Sequence, residues 1–342
     1  MPSFVDAMPY PALLLASNLR IIEANSAAQT LFGRKLTDVY LIRIIRHPEV
    51  LSLVNLSIKE RKMKMLETSL TFQTQRVFQI TAAPVGDKLK SRCLLTFVDV
   101  SAELEAERAR STFVANVSHE LRSPLTSVIG MVETLRGPAR YDEAARERFL
   151  ELMDGETQRM SRIVQDLLSL SKFEAQEHIV PSDSVDLLSI IKQVESALAA
   201  ADVDYPGRVR ITCHDTVPEV RGDADLLTEV FQNIIENALR YTPPGSYVDV
   251  DIRQTPSEGE GLLDGVRITV HDYGEGIESK HIPRLTERFY RVDKGRSREM
   301  GGTGLGLAIA KHIINRHRGR LVINSKMGKG TTMTVHLMPF TA

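Results

Sequence analysis

The 342-residue chain has no tryptophan, and no apolar run approaches the roughly 20 residues that a membrane-spanning helix needs. The early candidate, Tyr10 to Ala16, is short and interrupted by Pro11. A basic start with a small-residue cleavage site, the mark of a secretory leader, is also missing. The expectation is a soluble cytoplasmic chain, with membrane association only through partners or through segments outside this sequence. Excess charge of one sign is lacking too: 43 Lys and Arg stand against 44 Asp and Glu. With no global field to steer it toward polyanions, direct nucleic-acid binding is not expected. Only two cysteines occur, Cys93 and Cys213, far apart and without metal-ligand spacing. They read as small core residues in a reducing compartment.

What is present is an ordinary globular composition, long enough for two or three compact domains. Residues 1–98 carry short β-type runs such as Ala12–Leu15 and Leu94–Val98, and Phe78, Ile80 and Ala82 alternate with Gln79 and Thr81. Such alternation is the pattern of a half-buried strand, and with a short helix over Ala24–Phe32 it predicts a small α+β domain. Residues 99–178 open on Ser101–Arg110, a strong helix former with no Gly or Pro. The helix continues to Leu135, breaks at Gly137-Pro138 and resumes from about Tyr141 to Lys172. In its second arm Phe149, Met153, Met160, Ile163, Leu167 and Leu170 recur every three or four residues, with Glu156 at the odd position. Val114, Val117, Leu121, Leu125, Val128, Val132 and Leu135 form the matching stripe in the first arm. Two helices cannot bury both stripes, so the pattern predicts a homodimer joined by a four-helix bundle. Residues 179–342, after a loop near His178–Ser184, mix helices (Leu187–Ala199, Ala224–Tyr241, Leu305–Arg316) with strands (Val209–Cys213, Tyr247–Arg253, Val266–Asp272, Arg320–Asn324, Thr331–Leu337). They predict an α/β sandwich with helices on one face of a mixed sheet.

Four features carry chemistry. His119 lies two residues from both Val117 and Leu121, and at about 100° per residue it points away from the apolar seam. The adjacent Glu120 can accept the Nδ1 proton, leaving Nε2 as a nucleophile, and Pro124 removes a backbone donor five residues on. Gly301-Gly302-Thr303-Gly304-Leu305-Gly306-Leu307 precedes a helical run, so backbone N–H groups and a helix N-terminus can address phosphates. It has no Gly-Lys-Ser/Thr and no strand leading into it, so it is neither a Walker loop nor a dinucleotide fingerprint. Asp272-Tyr273-Gly274-Glu275-Gly276 follows an apolar strand, where a carboxylate can accept from an exocyclic amine such as adenine N6. Asn233 and Asn237 are spaced i, i+4 on one helix; amide oxygens suit Mg²⁺, and Arg240 follows as a fixed cation.

The order of these elements resembles the ATP-binding domain shared by histidine kinases, type II topoisomerases and Hsp90-type chaperones. The similarity to histidine kinases is closer, because Phe113–Leu125, reading FVANVSHELRSPL, is similar to their phospho-acceptor box, and Arg288-Phe289-Tyr290-Arg291 to their phenylalanine box. The run His281 to Lys294 resembles phosphate-regulon sensor kinases in particular. Leu13-Leu14-Leu15, Ile21-Ile22, Ala24-Asn25, Ala27-Ala28 and Leu31-Phe32-Gly33 resemble a PAS domain. That resemblance implies a multidomain α+β protein. Its parts would be a PAS-like sensor domain (1–98), an antiparallel dimerisation and phosphotransfer hairpin (99–178), and an ATP-binding sandwich of the GHKL type (179–342).

It further implies Mg-ATP as cosubstrate and an aspartate on a response regulator as the receiving partner, in phosphate-starvation signalling. His119 would be the phospho-acceptor, Glu120 its base, and Ser123 the residue that positions water for dephosphorylating the partner. Asn237 would hold Mg²⁺. Asn233, Arg240, Tyr241, Asp272, Gly274, Gly276 and Phe289 would surround the nucleotide, with Gly302, Thr303, Gly304, Leu305 and Gly306 as its lid. Two other readings use the same residues, a nucleotide-binding scaffold without kinase activity and an ATPase. ATPases of this superfamily carry a catalytic Glu where Asn233 stands, although Glu229 and Glu236 lie on the same helix. Such kinases usually carry N-terminal membrane helices, which this sequence lacks.

Overall fold

The computed structural model describes residues 4–33, 35–72, 74–86, 92–175, 179–201, 206–214, 217–255, 265–293 and 302–340. His178, Lys294 and Gly301 lie outside the described residues. The chain divides into two compact units, Met1–Thr112 and Phe113–Ala342.

In the first unit an antiparallel five-stranded sheet has the order β2-β1-β5-β4-β3. Its strands are β1 (Ala12–Ala16), β2 (Ile21–Ala24), β3 (Lys64–Thr71), β4 (Gln75–Val85) and β5 (Arg92–Asp99). Helices α1 (Ser26–Phe32) and α2 (Pro48–Glu60) lie in the chain between β2 and β3. Ala24, expected to open α1, ends β2 instead. The reason is Asn25, whose buried side chain caps the helix by accepting from the Ala28 amide at 2.9 Å and also accepts from the Ala12 amide at 3.0 Å. The same side chain donates to the Met8 and Tyr10 carbonyls, so every polar atom of this buried amide is matched. Phe32, Phe72, Phe78 and Phe97 meet edge to face in the core, with centroids 5.2 to 6.4 Å apart.

The second unit contains the helical hairpin from Phe113 onward and the sandwich. Helix α3 (Ser101–Arg136) runs uninterrupted through Pro124, and α4 (Glu143–Ala175) starts where Asp142 Oδ1 accepts from the Ala145 amide at 3.0 Å. On α4 the expected stripe is turned inward: Ile163 and Leu170 are buried, while Phe149, Met153, Glu156, Met160 and Leu167 are half-buried. Val114, Leu125 and Val132 on α3, with Leu150, Val164 and Leu168 on α4, stay exposed in the single chain.

The sandwich has a mixed sheet of order β11-β12-β10-β9-β7, antiparallel except for the β7/β9 pair. Its strands are β7 (Val209–Cys213), β9 (Val248–Thr255), β10 (Gly265–Asp272), β11 (Arg320–Lys326) and β12 (Gly330–Leu337). Helix α6 (Ala224–Tyr241) lies on β9 and β10, beside α5 (Leu187–Ala201) and α7 (Gly306–Arg316). Strand β6 (Asp183–Val185), which begins in the segment expected to be a loop, pairs with β8 (Val220–Gly222). Three residues give too little periodicity to be visible in a sequence. Helix α6 buries Leu227, Val230, Phe231, Ile234 and Ile235 completely, each such side chain being worth about 1.5–3 kcal/mol. Asp223 fixes where it begins, accepting from the Asp225 and Leu226 amides. Among the described residues, no helix is long and apolar enough to cross a membrane.

Candidate active site

Because the apolar stripe of α6 faces the core, the residues at i, i+4 and i+8 on the opposite stripe, Asn233, Asn237 and Tyr241, come to one side of the sandwich. There they line a cavity of about 330 Å³ together with Glu236, Arg240, Gly276, Gly302, Thr303, Gly304 and Gly306. Hairpin residues Arg162 and Asp166 line it from α4. The sequence motifs thus converge, although they are spread over about half of the chain.

The two asparagines are not equivalent. Asn233 Nδ2 donates to the Glu229 carbonyl at 2.9 Å, and its Oδ1 faces the first residue of α7, where a Cβ on Gly306 would come within 2.3 Å of it. Gly306 therefore serves the close packing of α7 on α6. Asn237 makes no side-chain hydrogen bond among the described residues and faces the cavity. Its amide oxygen is a hard donor of the kind Mg²⁺ takes, so the residues present fit that ion. Beside it Glu236 is paired with Arg240.

Asp272 ends β10 and is only 5% exposed. Its Oδ1 accepts from the Gly274 amide at 2.9 Å and the Thr331 amide at 3.0 Å. Burial raises its carboxyl above the usual carboxylate range, partly opposed by those two amides. Gly274 and Gly276 are required by backbone crowding: a Cβ would lie 2.5 Å from the Tyr241 carbonyl oxygen and 2.2 Å from that of Lys326, respectively. Gly276 also has φ +76°.

The Gly-rich loop is fixed at three points. The Gly304 carbonyl accepts from the Phe289 amide at 2.8 Å, Thr303 Oγ1 accepts from the Leu305 amide at 3.2 Å, and Thr303 donates to Asp166 Oδ2 at 2.6 Å. Four expected nucleotide neighbours, Asp272, Gly274, Phe289 and Leu305, do not line the cavity; buried Asp272 lies behind Thr331, whose amide it holds, and Gly274 sits against the Tyr241 carbonyl. Leu305 is buried in the apolar core, and Phe289 packs on Phe113 with centroids 5.9 Å apart.

His119 is exposed on α3, on the side away from half-buried Val117 and Leu121, and Ser123 one turn on is half-buried. Glu120 points inward. Arg159 Nη2 of α4 lies 2.9 Å from Glu120 Oε2, and Arg291 Nη1 lies 3.9 Å from the same oxygen. Neither Arg159 nor Asp166 was expected at the site. The signal available was a charged residue, Arg159, three positions from Glu156 within an otherwise apolar face, and it names no partner by itself.

Residues 109–176 match the model of the His Kinase A (phospho-acceptor) domain, and 222–341 that of the Histidine kinase-, DNA gyrase B-, and HSP90-like ATPase. The chain is 37% identical over 325 residues to the phosphate regulon sensor protein PhoR of Pseudomonas aeruginosa, covering 92% of this chain and 69% of that protein. It is 38% identical over 245 residues to the sensor protein kinase WalK of Staphylococcus aureus, covering 70% of this chain and 56% of that sequence. In strain Newman the same match spans 38% of WalK, so the chain is well short of that relative's full length. Among solved structures, the histidine kinase ThkA, in complex with the response regulator protein TrrA, is similar in fold. Its TM-score is 0.52 at 20% identity, over 100% of this chain and 98% of that one.

Proposed function

The chain belongs to the sensor histidine kinases of two-component systems, and from that premise we propose that it phosphorylates its own His119 with ATP held against α6 and α7. The phosphoryl group then passes to an aspartate of a response regulator. The observation that carries this reading is an exposed imidazole on the hairpin of the same compact unit that contains the cavity.

Phosphoryl transfer depends on positioning and charge neutralisation more than on covalent protein chemistry. The Asp272 carboxylate accepts from adenine N6, and Gly274 and Gly276 let the backbone approach the base. The amides of Gly302, Thr303 and Gly304 and the N-terminus of α7 face the phosphates. Asn237 is the ligand for Mg²⁺, which when bound neutralises phosphate charge. His119 Nε2 attacks the γ-phosphorus while its Nδ1 proton passes to Glu120. The bond from that phosphorus to the bridging oxygen breaks, and ADP departs with the electron pair.

The exposed row of Val114, Leu125, Val132, Leu150, Val164 and Leu168 supports a homodimer in which a second hairpin covers it. The complex of ThkA with TrrA supports a response regulator as the partner. Likeness to PhoR supports phosphate-starvation signalling, and the first unit, a five-stranded antiparallel sheet with helices between β2 and β3, supports a PAS-like sensor. Ser123, one turn beyond His119, has a hydroxyl that can position water for regulator dephosphorylation.

Incubation with γ-labelled ATP tests the reading. Label on the protein that is lost in acid, kept in alkali and missing in His119→Gln is the expected result. Release of inorganic phosphate with no labelled protein would make the chain an ATPase, and nucleotide binding with neither would make it a scaffold.

A further inference from the structure

Arg159 is a poor choice for holding a hairpin together. Its side chain is 6% exposed, its Nε makes no hydrogen bond among the described residues, and its neighbours on α4 include buried Ile163 and half-buried Met160. Burying a guanidinium is costly, and an apolar residue of similar length would often fill such a place at no loss of stability. What the guanidinium does here is specific. Nη2 reaches Glu120 Oε2 at 2.9 Å across from α4 to α3, while Nη1 lies 4.0 Å from Glu156 on its own helix. The guanidinium thus holds Glu120 through one nitrogen and one oxygen while its other Nη is turned to Glu156, so it stands between two carboxylates of different helices. The carboxylate held at 2.9 Å belongs to the residue next to His119. A second cation, Arg291, comes to 3.9 Å of the same oxygen from the sandwich, two residues after Phe289.

We propose that Arg159 is a positioning residue for proton transfer at His119: it holds the Glu120 carboxylate where it can take the Nδ1 proton as Nε2 bonds to phosphorus. The proposal rests on the reading of His119 as phospho-acceptor. Arg159 shares the hairpin with Glu120 and stays with it through the cycle. Arg291 belongs to the sandwich and adds its charge only when the sandwich is seated against the hairpin as in this structure. Glu120 is therefore held by one permanent and one conditional cation.

The test is a double-mutant cycle on the full chain, reading the rate of His119 labelling and the KM for ATP. The variants are Glu120→Gln, Arg159→Met, Arg159→Lys and the Glu120→Gln/Arg159→Met pair. Arg159→Met is expected to lower kcat about tenfold or more, as loss of an oriented general base does, with KM for ATP changed less than about twofold. Arg159→Lys recovers part of the loss. In the Glu120→Gln background the Met substitution changes kcat by less than about twofold, because its effect runs through the carboxylate. A rate unchanged in Arg159→Met or in Glu120→Gln overturns the proposal. So does an equal loss from Arg159→Met in both backgrounds, the result a purely structural arginine gives. Should Arg159→Met fail to fold, the same comparison with Arg159→Lys decides on the same terms. A wild-type chain that takes no label at His119 overturns the functional reading itself, a result distinguishable from all of these.

Discussion

The Thr303 hydroxyl of the Gly-rich loop donates a 2.6 Å hydrogen bond to Asp166 Oδ2 of the hairpin, 137 residues earlier in the chain. Helix α4 thus touches the loop that flanks the nucleotide cavity, and it does so with a carboxylate. Burial raises the Asp166 carboxyl above its ordinary range, while the Thr303 bond and the charge of Arg162 pull it back. With the triphosphate placed in this cavity as proposed, a negative side chain on its wall is unfavourable for the ligand.

Asp166→Asn keeps an acceptor for Thr303 and removes the charge. At pH 8 it should bind ATP about three- to tenfold more tightly, the order of a screened charge pair at an effective dielectric near 20. Affinity for adenosine should stay level. Titration calorimetry with the two ligands checks this, and equal changes for both would point to a packing effect.

The proposed contact of Asp272 with adenine predicts a pH limit on binding. Adenine N6 needs the ionised carboxylate, so bound nucleotide favours proton release and affinity falls as pH drops through the raised pKa. Because the shift is upward, the loss starts at higher pH than the ordinary value near 3.9 would give. Asp272→Asn should weaken ADP about ten- to a hundredfold, as removal of a charge-assisted hydrogen bond does, and abolish that acid limb. ADP binding measured between pH 8 and pH 5 in both proteins compares the slopes.

Gly276 and Gly328 separate crowding from backbone strain. Both have positive φ, +76° and +74°, but a Cβ at Gly276 would meet the Lys326 carbonyl oxygen at 2.2 Å, whereas Gly328 has nothing within 4 Å. Gly328→Ala should cost only strain, about 1 kcal/mol. Gly276→Ala should cost about 3 kcal/mol or more, strain plus displaced backbone, and should also weaken nucleotide binding. Chemical denaturation of the two variants tests the order.

His317 is 3% exposed, with Nδ1 against the Ile313 carbonyl at 2.7 Å and Nε2 accepting from the Asp223 amide at 3.0 Å. Burial lowers its pKa. The folded state therefore keeps the imidazole neutral, and its contribution is complete above the unfolded value near 6.5. As pH falls below that value, the unfolded chain gains a proton first and stability declines toward the lowered folded pKa. His317→Gln should be less stable at pH 8 yet lose less between pH 6.5 and pH 5. Thermal melts across that range check the sign.

Much of this unit was legible because its signals are periodic or local. The bounds of α6 and β7 follow from amphipathic spacing and β-branched runs, and Asn237, Gly276 and Gly304, picked out by residue type, line the cavity. Strand β6 and the Asn25 cap were not visible, because a short strand and a cap tied to another strand depend on distant partners. The Arg159 ion pair with Glu120 and the Asp166 bond to Thr303 were hidden for the same reason: each joins residues far apart in sequence. Leu305 shows the reverse error. Its neighbours face the cavity, but as the residue that caps α7 it buries its side chain in the core.

The most direct measurement is peptide mapping, under alkaline conditions, of the chain after incubation with Mg-ATP. A phosphoryl group on the peptide containing His119, and none in Asn237→Ala or when Mg²⁺ is chelated, is the predicted result. Phosphorylation at another residue, or an unmodified His119 after sustained ATP turnover, would contradict the assignment of the exposed imidazole as the phosphoryl acceptor.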